Sequence, residues 1–334
     1  MRNFGFHDDA LKYSSKCLKV REDDDEFQAK VYGVVASVYA ETQELSEALE
    51  CHEKALKLKL KSLPERHPEV AAIYNNIALI YDNQGQHDKA LKLFEKSLST
   101  RLETLGENHA DVGASYSFLA NLYMSKGEPD KAIEYHKKSP ELNLKTCGEN
   151  HPDTASSYNN LALVYQEKGE LETTLEFYNK TLTIKLGTVG DSHPHVASCY
   201  NNIGNVYADR KQLNLALEQY KKSLELRLKI FGECHANVEA SYNNMAITYR
   251  DQGDLDMALE NYSKSLTIRQ KTLGDSHISV ASSYNNMAMV YRDKGDVDRA
   301  FKFYKKSLAI KQAALGDNHP ALTTTYNNMG IACV

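Results

Sequence analysis

Apolar and small residues recur along this chain at helical spacings, stop at a glycine, and start again. From His235 to about Asp251, Tyr242, Met245, Ala246 and Tyr249 fall three, four and seven residues apart, which is one face of a helix. Gly253 breaks the pattern. Leu255, Ala258, Leu259, Tyr262, Leu266 and Ile268 then define a second helical face that ends near Gly274, a residue suited to a left-handed C-terminal cap. The spacing predicts a helical hairpin.

The hairpin repeats. H-x-x-V-x-x-x-Y and its variants start at His67, His109, His151, His193, His235, His277 and His319, each 42 residues after the last, and Asp25 holds the same phase one period earlier. Gly85, Gly127, Gly169, Gly253 and Gly295 mark the inner turn of each hairpin, and Gly106, Gly148, Gly190, Gly232, Gly274 and Gly316 the outer one. A fixed period of this size implies a stack in which no repeat buries its apolar face alone. The expected architecture is all-α: a single array over 1–334 with about sixteen helices. A lone second helix at 6–21 comes first, then units starting near 25, 67, 109, 151, 193, 235 and 277, then a lone first helix at 320–334. Pro140, where other repeats have leucine, predicts a kink in its helix.

Within one repeat, Tyr242, Met245, Ala246, Tyr249, Gly253, Ala258, Tyr262, Ser265 and Leu266 resemble the tetratricopeptide repeat. The 42-residue length, the LGDSH and LGENH connectors and the YNN start are similar to the repeats of kinesin light chains and nephrocystin-3-type proteins. The resemblance covers essentially the whole chain and implies a right-handed α-solenoid whose first helices line a concave groove. No sustained apolar heptad accompanies it, so the chain is not a complete kinesin light chain.

Two adjacent asparagines sit in most first helices, although asparagine is a poor helix former. On a helical projection they flank an exposed arc whose centre reads Leu79, Asn121, Leu163, Asn205, Ile247, Met289 and Ile331, an apolar floor edged by amides. Amides can satisfy the backbone of an extended peptide while the floor takes its side chains. The second asparagine, as in Asn244, is read as a bridge between neighbouring helices, because buried polar groups need partners. For the first asparagine the resemblance implies a part in binding a cargo peptide: Asn75, Asn159, Asn201, Asn243, Asn285 and Asn327. Arg250 and Arg292 match a groove arginine of that family and imply a preference for acidic, apolar peptides. Asp251 and Asp293 beside them offset that charge, and a solvated, ion-paired helix end explains both arginines equally well. No carboxylate clamp is built, since Ala72, Ala114, Ser156, Ser198, Ala240 and Ser282 stand where it needs basic side chains.

Composition narrows partners further. With 40 basic and 45 acidic residues the net charge is −5, which gives no reason to expect nucleic acid or an anionic membrane and points to protein partners. Six cysteines form no CxxC pair, the N-terminus lacks the apolar run of a signal peptide, and no eighteen-residue apolar stretch occurs, so the expected setting is cytoplasmic. The periodic histidines read as helix starts rather than metal ligands, and a lysine column (Lys54 to Lys306) reads as ion-paired helix surface. Neither a nucleophile elbow, a phosphate loop nor HExxH is present, so neither an enzyme nor a cofactor is expected. The expected function is a protein-binding scaffold or adaptor. The alternative is a regulatory sensor array belonging to a larger nucleotide-switch protein. Because the chain ends at "YNNMGIACV" with an internal stacking pattern, it is also expected to be a piece of a longer array or to self-associate through its last helix.

Overall fold

The computed structural model describes residues 13, 14, 16, 17, 20, 21 and 23–332. These form two compact units, 1–169 and 170–334. Unit 1 contains α1 (Asp25–Glu41), α2 (Leu45–Ser62), α3 (Pro68–Asn83), α4 (His87–Leu105), α5 (Ala110–Ser125), α6 (Pro129–Thr146) and α7 (Pro152–Glu167). Unit 2 contains α8 (Leu171–Val189), α9 (Pro194–Asp209), α10 (Leu213–Phe231), α11 (Ala236–Gln252), α12 (Leu255–Leu273), α13 (Ile278–Asp293), α14 (Val297–Leu315) and α15 (Ala321–Ile331). No strand occurs among the described residues, as the all-α expectation required. The expected helix at 6–21 lies mostly outside them, as do Cys333 and Val334.

Each histidine of the period caps a first helix. The ring Nδ1 of His67 accepts from the Glu69 N–H, and those of His109, His151, His193, His235, His277 and His319 do the same two residues on, at 3.1–3.2 Å. This satisfies one of the otherwise unpaired N–H groups at each helix start. The two turns use glycine differently. Gly253 ends α11 in the left-handed region at φ 86°, ψ 2°, whereas Gly274, where the left-handed cap was expected, ends α12 at φ 86°, ψ 159°. That second conformation is not a left-handed cap; it is an extended positive-φ region open essentially to glycine alone, and it turns the chain sharply toward the next histidine.

Alanines at the helix crossings, among them Ala78, Ala90, Ala246 and Ala258, are fully buried and let helices approach closely. Around the α11–α12 hairpin, Met245, Tyr249 and Tyr262 pack with Tyr220 from the preceding hairpin and with Val280 and Met287 from the following one, so the core is continuous between repeats. At Gly204, where other repeats mostly have alanine, a Cβ would lie 2.6 Å from a ring carbon of Tyr220; the missing side chain is what admits that ring. α6 runs as one helix through the buried Pro140. The proline removes only one N–H bond, and the neighbouring helices hold the rest of the ladder.

A column of basic residues near the end of the second helices stitches repeat to repeat. Arg101 Nη1 donates to the carbonyl of Asp111 and to Ser115 Oγ, Arg227 Nη1 to Asn237 O and Ser241 Oγ, and Arg269 Nη1 to Ser279 O and Ser283 Oγ, all at 2.8–3.1 Å. Lys59 and Lys311 occupy the same phase and reach Glu69 and Thr325. Burial pulls the pKa of Arg101, Arg227 and Lys311 down. The first two bond in compensation to a carbonyl and a hydroxyl, and Lys311 to the hydroxyl of Thr325, which keeps these buried cations supported.

Candidate peptide-binding face

The YNN asparagines project from the first helices, and the structure divides them by environment. In unit 2, Asn201 on α9, Asn243 on α11 and Asn285 on α13 are half-buried, and Asn327 on α15 is exposed. Asn244 Nδ2 donates to Asn201 Oδ1, and Asn328 Nδ2 to Asn285 Oδ1, each at 3.2 Å, with Arg227 Nη1 also 3.4 Å from Asn201 Oδ1. The second asparagine of one repeat thus bridges to the first asparagine of the repeat before it, as expected for Asn244. The bridge alternates: Asn243 makes no side-chain hydrogen bond among the described residues. In unit 1 the order is reversed at the first YNN, where Asn75 is 2 % exposed with neither amide atom bonded, and Asn76 is exposed. Asn159 is half-buried.

Between the amides lies the floor. Ile247 is 42 % and Leu163 46 % exposed, high values for large aliphatic side chains inside a helical array. Met289 is half-buried beside Ala288 and Tyr304. Asn205 is not free to meet a ligand with its oxygen, because the Tyr220 hydroxyl donates to it at 2.8 Å. Arg250 Nε and Arg292 Nη2 both pair with Asp293, at 2.6 and 2.9 Å. Burial pushes the Asp293 carboxyl up, but the hydrogen bonds and charges of the two guanidinium groups outweigh it and hold it below the usual carboxylate value. Two cations share one anion, which leaves this end of the face with one net positive charge.

The lysine column behaves as surface. Lys54, Lys138, Lys180, Lys222 and Lys264 each pair with the glutamate four residues before, and several also sit over the first-helix tyrosine, Lys96 over Tyr74 at 4.4 Å and Lys264 over Tyr242 at 5.5 Å. Among the described residues, Cys147, His151 and Asp153 bring three potential metal ligands within 4.8 Å of one another. His151 Nδ1 is already engaged as a helix cap, in the same way as the six other histidines of the period. No described helix is long and apolar enough to cross a membrane.

What the pattern of apolar positions did not reveal is the basic stitching column. Lys59, Arg101, Lys185, Arg227, Arg269 and Lys311 share one phase of the period, and that recurrence of charge at a helical position was the available signal.

Stacked helical hairpins joined by two glycine turns, with capped first helices presenting amides and aliphatic side chains, define a helical repeat protein. The chain belongs to the tetratricopeptide repeat family: models of that repeat match residues 69–145, 111–186, 153–229, 237–313 and 279–334, and a second one matches 29–69. Among solved structures, it is similar to BtubC (BKLC) from P. vanneervenii, with 23 % identity and a TM-score of 0.57 over 77 % of this chain and 93 % of that one. It is similar also to a single-residue variant of a putative kinesin light chain with nearly identical TPR-like repeats from Podosopora anserina, with 25 % identity and a TM-score of 0.57 over 62 % of this chain and 97 % of that one. A signal transduction ATPase with numerous domains and a tetratricopeptide repeat sensor, from Pyrococcus horikoshii, aligns at 17 % identity and a TM-score of 0.65 over 98 % of this chain and 49 % of that one. These likenesses bear out the α-solenoid fold class. No curated protein matches the sequence.

Proposed function

We propose that the chain is a non-enzymatic scaffold that takes an extended segment of a protein partner along the first-helix face. One observation carries this reading: in unit 2 the oxygens of Asn201 and Asn285 are held by the neighbouring repeat, which leaves their NH2 groups as donors beside the exposed Ile247. Donors at repeat spacing suit the carbonyls of an extended backbone, and Ile247 and Met289 suit its apolar side chains. Asn243 and Asn327 extend the donor row within unit 2; in unit 1 Asn159 offers a donor at the same phase, and Asn75 is ruled out by its burial. Arg250 and Arg292, with one net charge after Asp293, favour an acidic residue at that end weakly.

The test compares partner capture from native lysate by the wild type and by Asn201→Ala/Asn243→Ala/Asn285→Ala, with capture quantified protein by protein. We expect the triple variant to keep its helical signal and lose the specifically captured proteins by about tenfold or more, as for three lost hydrogen bonds of about 0.5–1.5 kcal/mol each. Unchanged capture by a folded variant rejects the face as the binding site. A second reading, a sensor array within a larger nucleotide-switch protein, has the support that the whole chain superposes on about half of the Pyrococcus horikoshii ATPase structure. A GxxxxGK[ST] segment in the product of the same gene would decide for it.

A further inference from the structure

In one repeat of unit 1 the stitching column is broken. Asn143 stands at the phase of Arg101, Arg227 and Arg269, and a cavity of about 450 Å³ opens on the first-helix face between α5, α6 and α7. Three substitutions relative to the other repeats create it. Asn143 is shorter than arginine. Gly113 replaces the usual alanine, and a Cβ there would come within 3.3 Å of Asn143 Oδ1. Ser117 replaces the first asparagine.

The lining is unusual for this protein because it offers acceptors without a cation: Asp111, Asp153, Asn143, Ser139 and Ser157 contribute, and no lysine, arginine or histidine does. The hydroxyls are already linked, Ser117 Oγ donating to Ser139 Oγ at 3.2 Å, Ser139 and Ser157 sharing a bond of 2.8 Å, and Asn143 Nδ2 donating to Ser157 Oγ at 2.9 Å. Asn143, only 6 % exposed, is left with an Oδ1 that receives no hydrogen bond from any described residue. That oxygen opens onto the cavity, where it is available to accept a hydrogen bond. One wall is Phe118, stacked on Phe94 with ring centroids 5.7 Å apart, a surface on which a planar cation can lie.

In the repeat before it, and again at Arg227 two periods on, this slot is filled from within by a guanidinium that donates to a carbonyl and a serine hydroxyl. Here the chain supplies the acceptors and two carboxylates but withholds the guanidinium. We propose that the cavity is a vacated arginine site that takes the guanidinium of an arginine side chain from a protein partner. The Asn143 oxygen and the Asp111 and Asp153 carboxylates accept its hydrogens, and Phe118 supports its plane. A guanidinium has five donors in a rigid fork, so it answers several acceptors at once where an ammonium cannot. The assignment goes beyond the groove reading and does not depend on it.

The test uses single capped residues, so that its outcome is separate from that of any extended peptide. N-acetyl-arginine-N-methylamide is titrated into the full 15N-labelled chain, with the citrulline analogue as the uncharged isostere and the lysine analogue as the point charge. We expect saturable shifts at the Asn143 and Asn160 side-chain amides for arginine, weaker binding for lysine, and binding about tenfold weaker or absent for citrulline, since the charge-assisted bonds are lost. Asn143→Arg fills the slot as Arg101 and Arg227 do theirs; it should abolish the response while raising the unfolding midpoint. Asp111→Asn/Asp153→Asn leaves the cavity open and should weaken arginine binding about fivefold or more, which keeps the question decidable if the first variant does not fold. No saturable response to the arginine probe, an equal response to citrulline, or undiminished binding by either variant overturns the proposal.

Discussion

Lys211 shows how a single side chain can work against the repeat that contains it. It stands at the inner turn where five other repeats have glycine, and the backbone forces it to φ 58°. A non-glycine residue there costs about 1–2 kcal/mol, of which glycine gives back part through its own chain entropy. Lys211→Gly is therefore expected to stabilise unit 2 by about 0.5–1 kcal/mol and raise its melting temperature by about 2 °C, measured by calorimetry. The exposed 3.7 Å pair with Asp251 that is lost is worth little. The turn was legible because glycine is its ordinary occupant, so a lysine in phase announces strain. The asparagines were only half legible. Their phase fixed the helix and the face, but Asn75 is buried and Asn327 exposed in the same phase, since the side chains of the adjoining repeats, not the asparagine itself, decide how far each is covered.

At the scale of helices, the stitching column carries a test of what its buried charges do. Glu239 on α11 takes the place of the alanine or glycine found in the same phase of most repeats, lies buried, and accepts from Ser265 Oγ at 2.5 Å and from Arg269 Nε at 2.8 Å. Arg101 and Arg227 hold the same position with no carboxylate of this kind, each resting on a carbonyl and a hydroxyl. Glu239→Ala is expected to cost less than about 1 kcal/mol, because Arg269 keeps Ser279 O and Ser283 Oγ. Arg269→Ala strands a buried carboxylate and is expected to cost about 3 kcal/mol or more. Urea unfolding of the two variants measures the asymmetry, and equal costs would mean that the pair, not the stitch, holds the repeats together. The helices and their turns were legible through the apolar period. The stitch was not, because a lysine or arginine in an amphipathic helix reads as solvated surface until the next repeat is seen to cover it.

Taken unit by unit, one column of the array predicts opposite responses to pH. The buried aromatic position of the second helices reads His52, Phe94 and His136 in unit 1 and Tyr178, Tyr220, Tyr262 and Tyr304 in unit 2. His136 is 1 % exposed with Nδ1 unbonded, and burial pulls its pKa from 6.5 down to about 4; His52 is lowered by the same cause. Above pH 6.5 these rings are neutral in both folded and unfolded chains and stability is unaffected. As pH falls from 6.5 toward 4 the unfolded chain takes up protons that the folded one refuses, so unit 1 loses stability, by about 2 kcal/mol from His136 alone at pH 5. In unit 2, burial raises Tyr178 and Tyr262 to about 12. Their unfolded forms ionise near 10, so stability is intact below that value and is lost as pH rises from about 10 to 12. Hydrogen exchange at about pH 5 should therefore open the amides of α4–α6 before those of α10–α12, and exchange at about pH 10.5, corrected for the faster chemical rate, should reverse the order. His136→Phe, which puts the Phe94 side chain type at the same position one period on, should remove most of the acid sensitivity of unit 1 and leave the alkaline response of unit 2 unchanged. Equal acid loss in the variant would place the sensitivity in the carboxylate pairs instead, whose own window lies lower because their pKa values are held below the ordinary carboxylate range.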